Sequence, residues 1–146
     1  METKTLPLPL PNHGHHHLPS LASEVHRIYF VKVAPLKVKW GQQITRKRRR
    51  SIRLGSYNHH TCEVRIHPIL NAPNVPAFFI QSIIHHEYLH HVVSASHGRR
   101  FHAHEREFRY YRESKEWLRR NLFFLLGRKI ARVPPRKEAP PQLALF

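Results

Sequence analysis

Residues 77–96, AFFIQSIIHHEYLHHVVSAS, set the tightest limit on what this chain can fold into. The run is apolar around most of a helical circumference, which predicts a central helix buried against a sheet. It nevertheless carries His85, His86, Glu87, His90 and His91. Imidazoles and a carboxylate withdrawn from water need partners or a task. His86, Glu87 and His90 spell HExxH: rings four residues apart lie one turn apart on one face and can reach a single ion, while Glu87 can address a water beside it. A chain with fifteen histidines and nine glutamates meets this spacing by accident in about one shuffling in ten. The apolar setting therefore singles these residues out more than the spacing does. His85 and His91 suit exposed, solvated positions better.

A catalytic zinc takes three protein ligands and keeps one position open for water. His97, seven residues past His90, is the best third ligand, because the chain can turn beyond the helix and fold back; Glu105 is the reserve. His102 and His104 are candidates for groups just outside the ligands, and Tyr57, His104, Tyr110 and Tyr111 for steadying an oxyanion. Imidazole donors in tetrahedral order favour Zn2+, one per chain, over other divalent ions.

Around this helix the pattern is that of a small α+β domain. Residues 1–19 are rich in Pro and His without a period and read as a flexible leader. Ser20 is expected to cap a short helix to about Phe30, with Leu21, Val25, Ile28 and Tyr29 on one side. Pro35 precedes three short strands, partly antiparallel, read from the alternation of Leu36, Val38 and Trp40, of Ile52 and Leu54, and of Val64 and Ile66. Asn74 and Pro76 look like the start of the histidine-bearing helix. Gly98 interrupts, and a second long helix is expected from about Arg99 to Leu126. Residues 132–146 form a proline-stiffened tail.

The 25 Lys and Arg against 9 Glu, with no Asp, give a net charge of +16. Residues 20–134 hold 22 of the basic and 7 of the acidic side chains, so the excess sits in the folded body. Such a field favours polyanions, and Arg46, Lys47, Arg48, Arg49 and Arg50 form a loop suited to a phosphate backbone. Cys62 stands alone, excluding an internal disulfide or a four-cysteine zinc ribbon and suiting a reducing cytoplasm. Prolines break every apolar run near the N-terminus, and no eighteen consecutive apolar residues occur, so neither secretion nor membrane insertion is expected.

Taken together, KVKWG, HHEYLHH and His97-Gly98-Arg99-Arg100-Phe101 resemble the SprT-like zincin proteases and their small bacterial relatives. The resemblance covers about residues 20–126 and is most specific over 82–108. It implies a minimal α+β zincin, with a three-stranded sheet packed on the HExxH helix and a following long helix over residues 20–131. It also implies zinc on His86, His90 and His97, Glu87 as general base of peptide hydrolysis, and Phe101 packed behind the third ligand. The family's cysteine-rich zinc ribbon has no counterpart here.

The final residues QLALF resemble the peptide by which bacterial repair and replication proteins dock on the polymerase sliding clamp, through Gln142, Leu143, Leu145 and Phe146. Related eukaryotic proteases act on DNA-protein crosslinks while tethered to the equivalent clamp. The expected function is thus a cytoplasmic zinc endopeptidase acting on proteins at DNA. The alternatives are a non-catalytic DNA- or clamp-binding module with a structural or degenerate metal site, and a histidine-rich metal buffer.

Overall fold

The computed structural model describes residues 15–42 and 52–126. The order of elements is α1 (Leu18–Tyr29), β1 (Lys37–Trp40), β2 (Gly55–Asn58), β3 (Glu63–Ile66), a single 3-10 turn at Pro68–Leu70, α2 (Ala77–Val92), α3 (Arg99–Glu105) and α4 (Tyr111–Leu125). Among the described residues the architecture is α+β, as expected, with a three-stranded sheet and four helices. Arg46 to Arg50 and Gln142 to Phe146 lie outside the described residues.

The sheet has the order β1-β3-β2: β1 runs parallel to β3, with Lys37 opposite Glu63, and β2 antiparallel to it, with Tyr57 opposite Val64. Val64 and Ile66 on β3 are fully buried, in keeping with their alternation. Ile52 and Leu54 are buried too, but strand pairing begins only at Gly55. Their alternation reflects an extended lead-in, tied to the sheet by the His67 N–H donating to the Leu54 carbonyl at 2.9 Å.

Helix α2 is the centre of the molecule. Phe79, Ile80, Ile83, Ile84, Tyr88 and Leu89 are buried on it, facing α1, the sheet and α4 in turn. Burying side chains of this size contributes about 1.5–3 kcal/mol each. Phe30 stacks on Tyr88 at 4.5 Å between ring centres, Tyr88 accepts a hydrogen bond from the Leu36 N–H, and Trp117 lies 4.5 Å from Phe79. Among the described residues no helix is long and apolar enough to cross a membrane.

Four local expectations need correction. Helix α1 starts at Leu18, capped by the His17 imidazole accepting from the Ser20 N–H, because Pro19 fits the first turn and Leu18 is wanted in the core. The buried row is Leu18, Ala22 and Val25, leaving Ile28 about half exposed. Helix α2 begins at Ala77 after Pro76, with Asn74 exposed and making no cap. The long helix expected from Arg99 to Leu126 is broken over 106–110, where the chain turns Phe108 under Tyr29 and His85 and the Arg109 N–H donates to the Tyr29 hydroxyl.

β2 crosses α2 so closely that Gly55 has no room for a side chain. A Cβ there would lie 2.5 Å from Ile83 Cγ2 and 3.0 Å from Glu87 Oε2. Neither neighbour can give, since both belong to the buried face of α2. Gly55→Ala should lower stability by about 1–3 kcal/mol, as overpacking does in a dense core, and a denaturation curve superimposable on wild type would refute this packing.

Candidate metal centre

His86 and Glu87 sit on the buried stretch of α2 and half-buried His90 just past its end, and His97 comes back to them from the loop before α3. The loop return needs a turn of chain free of helix, which Ser94 to Gly98 provide. His97 Nε2 lies 3.2 Å from His86 Nε2 and 3.1 Å from His90 Nε2. The three ligand atoms fall within 4.8 Å of one another, and among the described residues this is the one such group able to hold a metal ion.

The outer nitrogens are already engaged. His86 Nδ1 donates to Glu105 Oε2 at 2.6 Å, and His90 Nδ1 donates to the Ser94 carbonyl at 3.1 Å. With the proton on Nδ1, the Nε2 atoms of His86 and His90 each turn a bare lone pair inward, toward His97 Nε2. Burial, first of all, lowers the proton affinity of His90 and His97, and the neighbouring histidines lower it further. The two spacings to His97 match zinc, whose bonds of about 2.0–2.1 Å at a tetrahedral angle set nitrogens about 3.3 Å apart. The Phe101 ring, fully buried, stands 4.8–4.9 Å from each of the three imidazoles and closes the inner side of the group.

Glu105 thus sits on the Nδ1 side of His86, away from the converging nitrogens. It is a partner of a ligand candidate, and the reserve role of direct ligand does not suit its place. Its other oxygen is 3.1 Å from His102 Nδ1, and these imidazole contacts hold its carboxyl down at about 2 although burial alone would raise it. His104 pairs with Glu107 at the surface.

Glu87 is buried like Glu105 but differs from it in hydrogen-bond partners and in the direction of its pKa shift. It is 2% exposed and its Oε2 has no hydrogen-bond partner. Burial pushes its carboxyl up to about 8, against the pull of the nearby Arg53 charge. It lines a cleft of about 380 Å³ together with His90, His97, Arg53, Tyr57 and the β2 residues Gly55 and Ser56. β2 is an outer strand of the sheet, so an extended backbone forms one wall of the cleft.

Of the four residues considered for an oxyanion, Tyr57 reaches the cleft; its hydroxyl is 2.5 Å from His91 Nδ1, and burial and Cys62 push it up to about 12. Tyr110 packs on Phe78, and Tyr111 lines a separate hollow beside His85. His85 is not exposed as expected but 2% exposed among Tyr29, Phe30 and Phe108, and burial drives it down to about 4, so it stays neutral. His91 is half-buried against Tyr57. Arg53 carried no mark in the sequence beyond being the polar position between two buried ones.

Elemental analysis of the purified chain should give one zinc per molecule and none after His97→Ala. Glu105→Gln should keep the ion but bind it about 10–100-fold more weakly, the usual result of removing the carboxylate behind a ligating histidine. Unchanged affinity in that variant, measured by chelator competition, would mean that the carboxylate does not tune the site.

No protein-family model matches the chain, and no curated protein matches it. Among solved structures it is similar to the metallopeptidase zymogen jannalysin of Methanocaldococcus jannaschii, with a TM-score of 0.56 and 18% identity over 82% of this chain and 98% of that one. It is also similar to the metallopeptidase zymogen abylysin of Pyrococcus abyssi, with a TM-score of 0.55 and 15% identity over 79% of this chain and 100% of that one. The fold of this chain is therefore that of small metallopeptidase domains, and its converging histidines stand within that fold.

Proposed function

We propose that the chain is a zinc metalloendopeptidase, SprT-like in its motifs, which hydrolyses peptide bonds of proteins at DNA. One observation carries the reading: three imidazole nitrogens converge beside an unpartnered, buried Glu87 oxygen at the wall of a cleft. His86, His90 and His97 would hold zinc, which when bound supplies Lewis-acid polarisation of a carbonyl and acidifies water.

The remaining work falls to the chain's own groups. Glu87 Oε2 accepts the proton that the attacking water gives up and returns it to the leaving amine nitrogen. Its desolvated setting raises its affinity for that proton, and Arg53 moderates the effect. Glu105 and the Ser94 carbonyl orient the rings of His86 and His90, and Phe101 excludes water from behind them. The outer edge of β2 receives the substrate as an added extended strand, with main-chain hydrogen bonds giving affinity without regard to sequence.

The connection to DNA rests on charge. The chain carries +16, and Arg99, Arg100, Arg106, Arg109 and Arg112 are exposed along α3 and the start of α4. Arg46 to Arg50 would add phosphate contacts. Gln142, Leu143, Leu145 and Phe146 would dock on a bacterial sliding clamp, raising the local concentration of the peptidase near DNA-bound proteins.

The test is digestion of an unfolded protein by the zinc-loaded chain, with and without duplex DNA. Glu87→Gln should lower the rate by about 10²–10⁴-fold while zinc stays bound, and DNA should raise the wild-type rate. Equal digestion by wild type and Glu87→Gln would defeat the peptidase reading and favour a non-catalytic DNA- and clamp-binding module.

A further inference from the structure

Arg53 stands at the junction of two hollows. It lines the cleft that holds Glu87, His90 and His97, and it lines a second hollow of about 210 Å³ with Gln42, Arg65, His67 and Pro68. Gly55 and Ser56, the first residues of β2, belong to both. A peptide lying along β2 beside the histidines therefore passes Arg53 within a residue or two of the bond to be broken.

Arg53 acts on Glu87 through its charge alone, without an ion pair. Among the described residues no carboxylate lies within ion-pair distance of it, whereas Arg65 in the same hollow is tied to Glu63 at 3.2 Å. Elsewhere on the surface, Arg119 and Arg120 are both paired with Glu116. Glu87 is the one acidic residue in the cleft lining; it is buried and feels the Arg53 charge, but the two form no ion pair. An exposed guanidinium in the lining of the cleft is a planar fork with no carboxylate paired to it.

We propose that Arg53 is the specificity determinant of the cleft and binds a carboxylate of the peptide substrate next to the scissile bond. The inference rests on the peptidase reading and adds a substrate class to it: peptides with an acidic side chain, or a free C-terminal carboxylate, at the position facing Arg53. A guanidinium forms two parallel hydrogen bonds with a carboxylate, and the wall of the cleft reduces the screening that weakens such pairs in open water. Because Arg53 is exposed, the preference is on the order of tenfold and shrinks as salt is added.

The experiment uses the zinc-loaded full chain and quenched-fluorescence peptides that differ in one residue, Glu against Gln, stepped through the positions flanking a common core. A parallel pair differs only in a C-terminal acid or amide. Expected is about a tenfold higher kcat/KM for Glu at one position, or for the free acid, which separates the two sources of the carboxylate. The ratio should fall to about one in Arg53→Gln and be partly kept in Arg53→Lys. The same peptides are titrated onto zinc-loaded Glu87→Gln by fluorescence anisotropy, which needs no turnover. A matching binding preference upholds the subsite even where nothing is hydrolysed, so the two readings fail separately. No acid preference in either assay, or a preference that survives Arg53→Gln, overturns the proposal. So does a loss of duplex DNA binding in Arg53→Gln without any change in the peptide ratio, which would reassign the residue to a phosphate contact.

Discussion

Withdrawing His86 and Glu87 from water inside α2, with His90 half-buried beside them, is the constraint around which the molecule is arranged. Each such group left without a partner in a low-dielectric interior costs on the order of a few kcal/mol. The surroundings answer each one differently. His86 and His90 receive acceptors for their outer nitrogens, whereas Glu87 Oε2 receives no donor. The paired groups are thereby fixed in orientation and the unpaired one is left reactive, a division made entirely by what the neighbouring elements bring.

Those elements are placed accordingly. α3 exists as a separate short helix because the turn over 106–110 lets Glu105 come up under His86 while α4 goes on to pack Trp117 against Phe79. Phe101, from the same helix, fills the space between the three rings and the core. On the opposite side the sheet comes as near as Gly55 permits, so the strand wall of the cleft and the helix bearing the histidines are held in one register.

Much of this was legible in the residues. The all-round apolar character of 77–92 marks a central helix, and the alternation of Val64 and Ile66 marks a strand with one buried face. The convergence of His86, His90 and His97 follows from helical spacing plus a turn. What the sequence did not disclose depends on relations between elements. Whether Glu105 faces the Nε2 or the Nδ1 side of His86 is decided by the angle between α2 and α3, and no spacing encodes that angle. His85 looked like a surface residue because histidine usually is one; the aromatic rings that enclose it come from Tyr29, Phe30 and Phe108, far apart in the chain. Arg53 was not singled out in the sequence, and only the fold brings it into the lining of the cleft.

The compactness of the histidine group in sequence has a further consequence. The contact between His86 and His97 spans eleven residues, so an ion held there would close only a short loop. Loop closure of that length carries little chain entropy, and the loop contains no residue of the sheet or of α1. The segment can therefore gather around an ion before the rest of the chain has folded. Affinity of the unfolded chain for the same ion subtracts from the stabilisation that binding confers on the native state. An ion so bound by the unfolded chain would stabilise the native state by less than its affinity for the folded site alone implies.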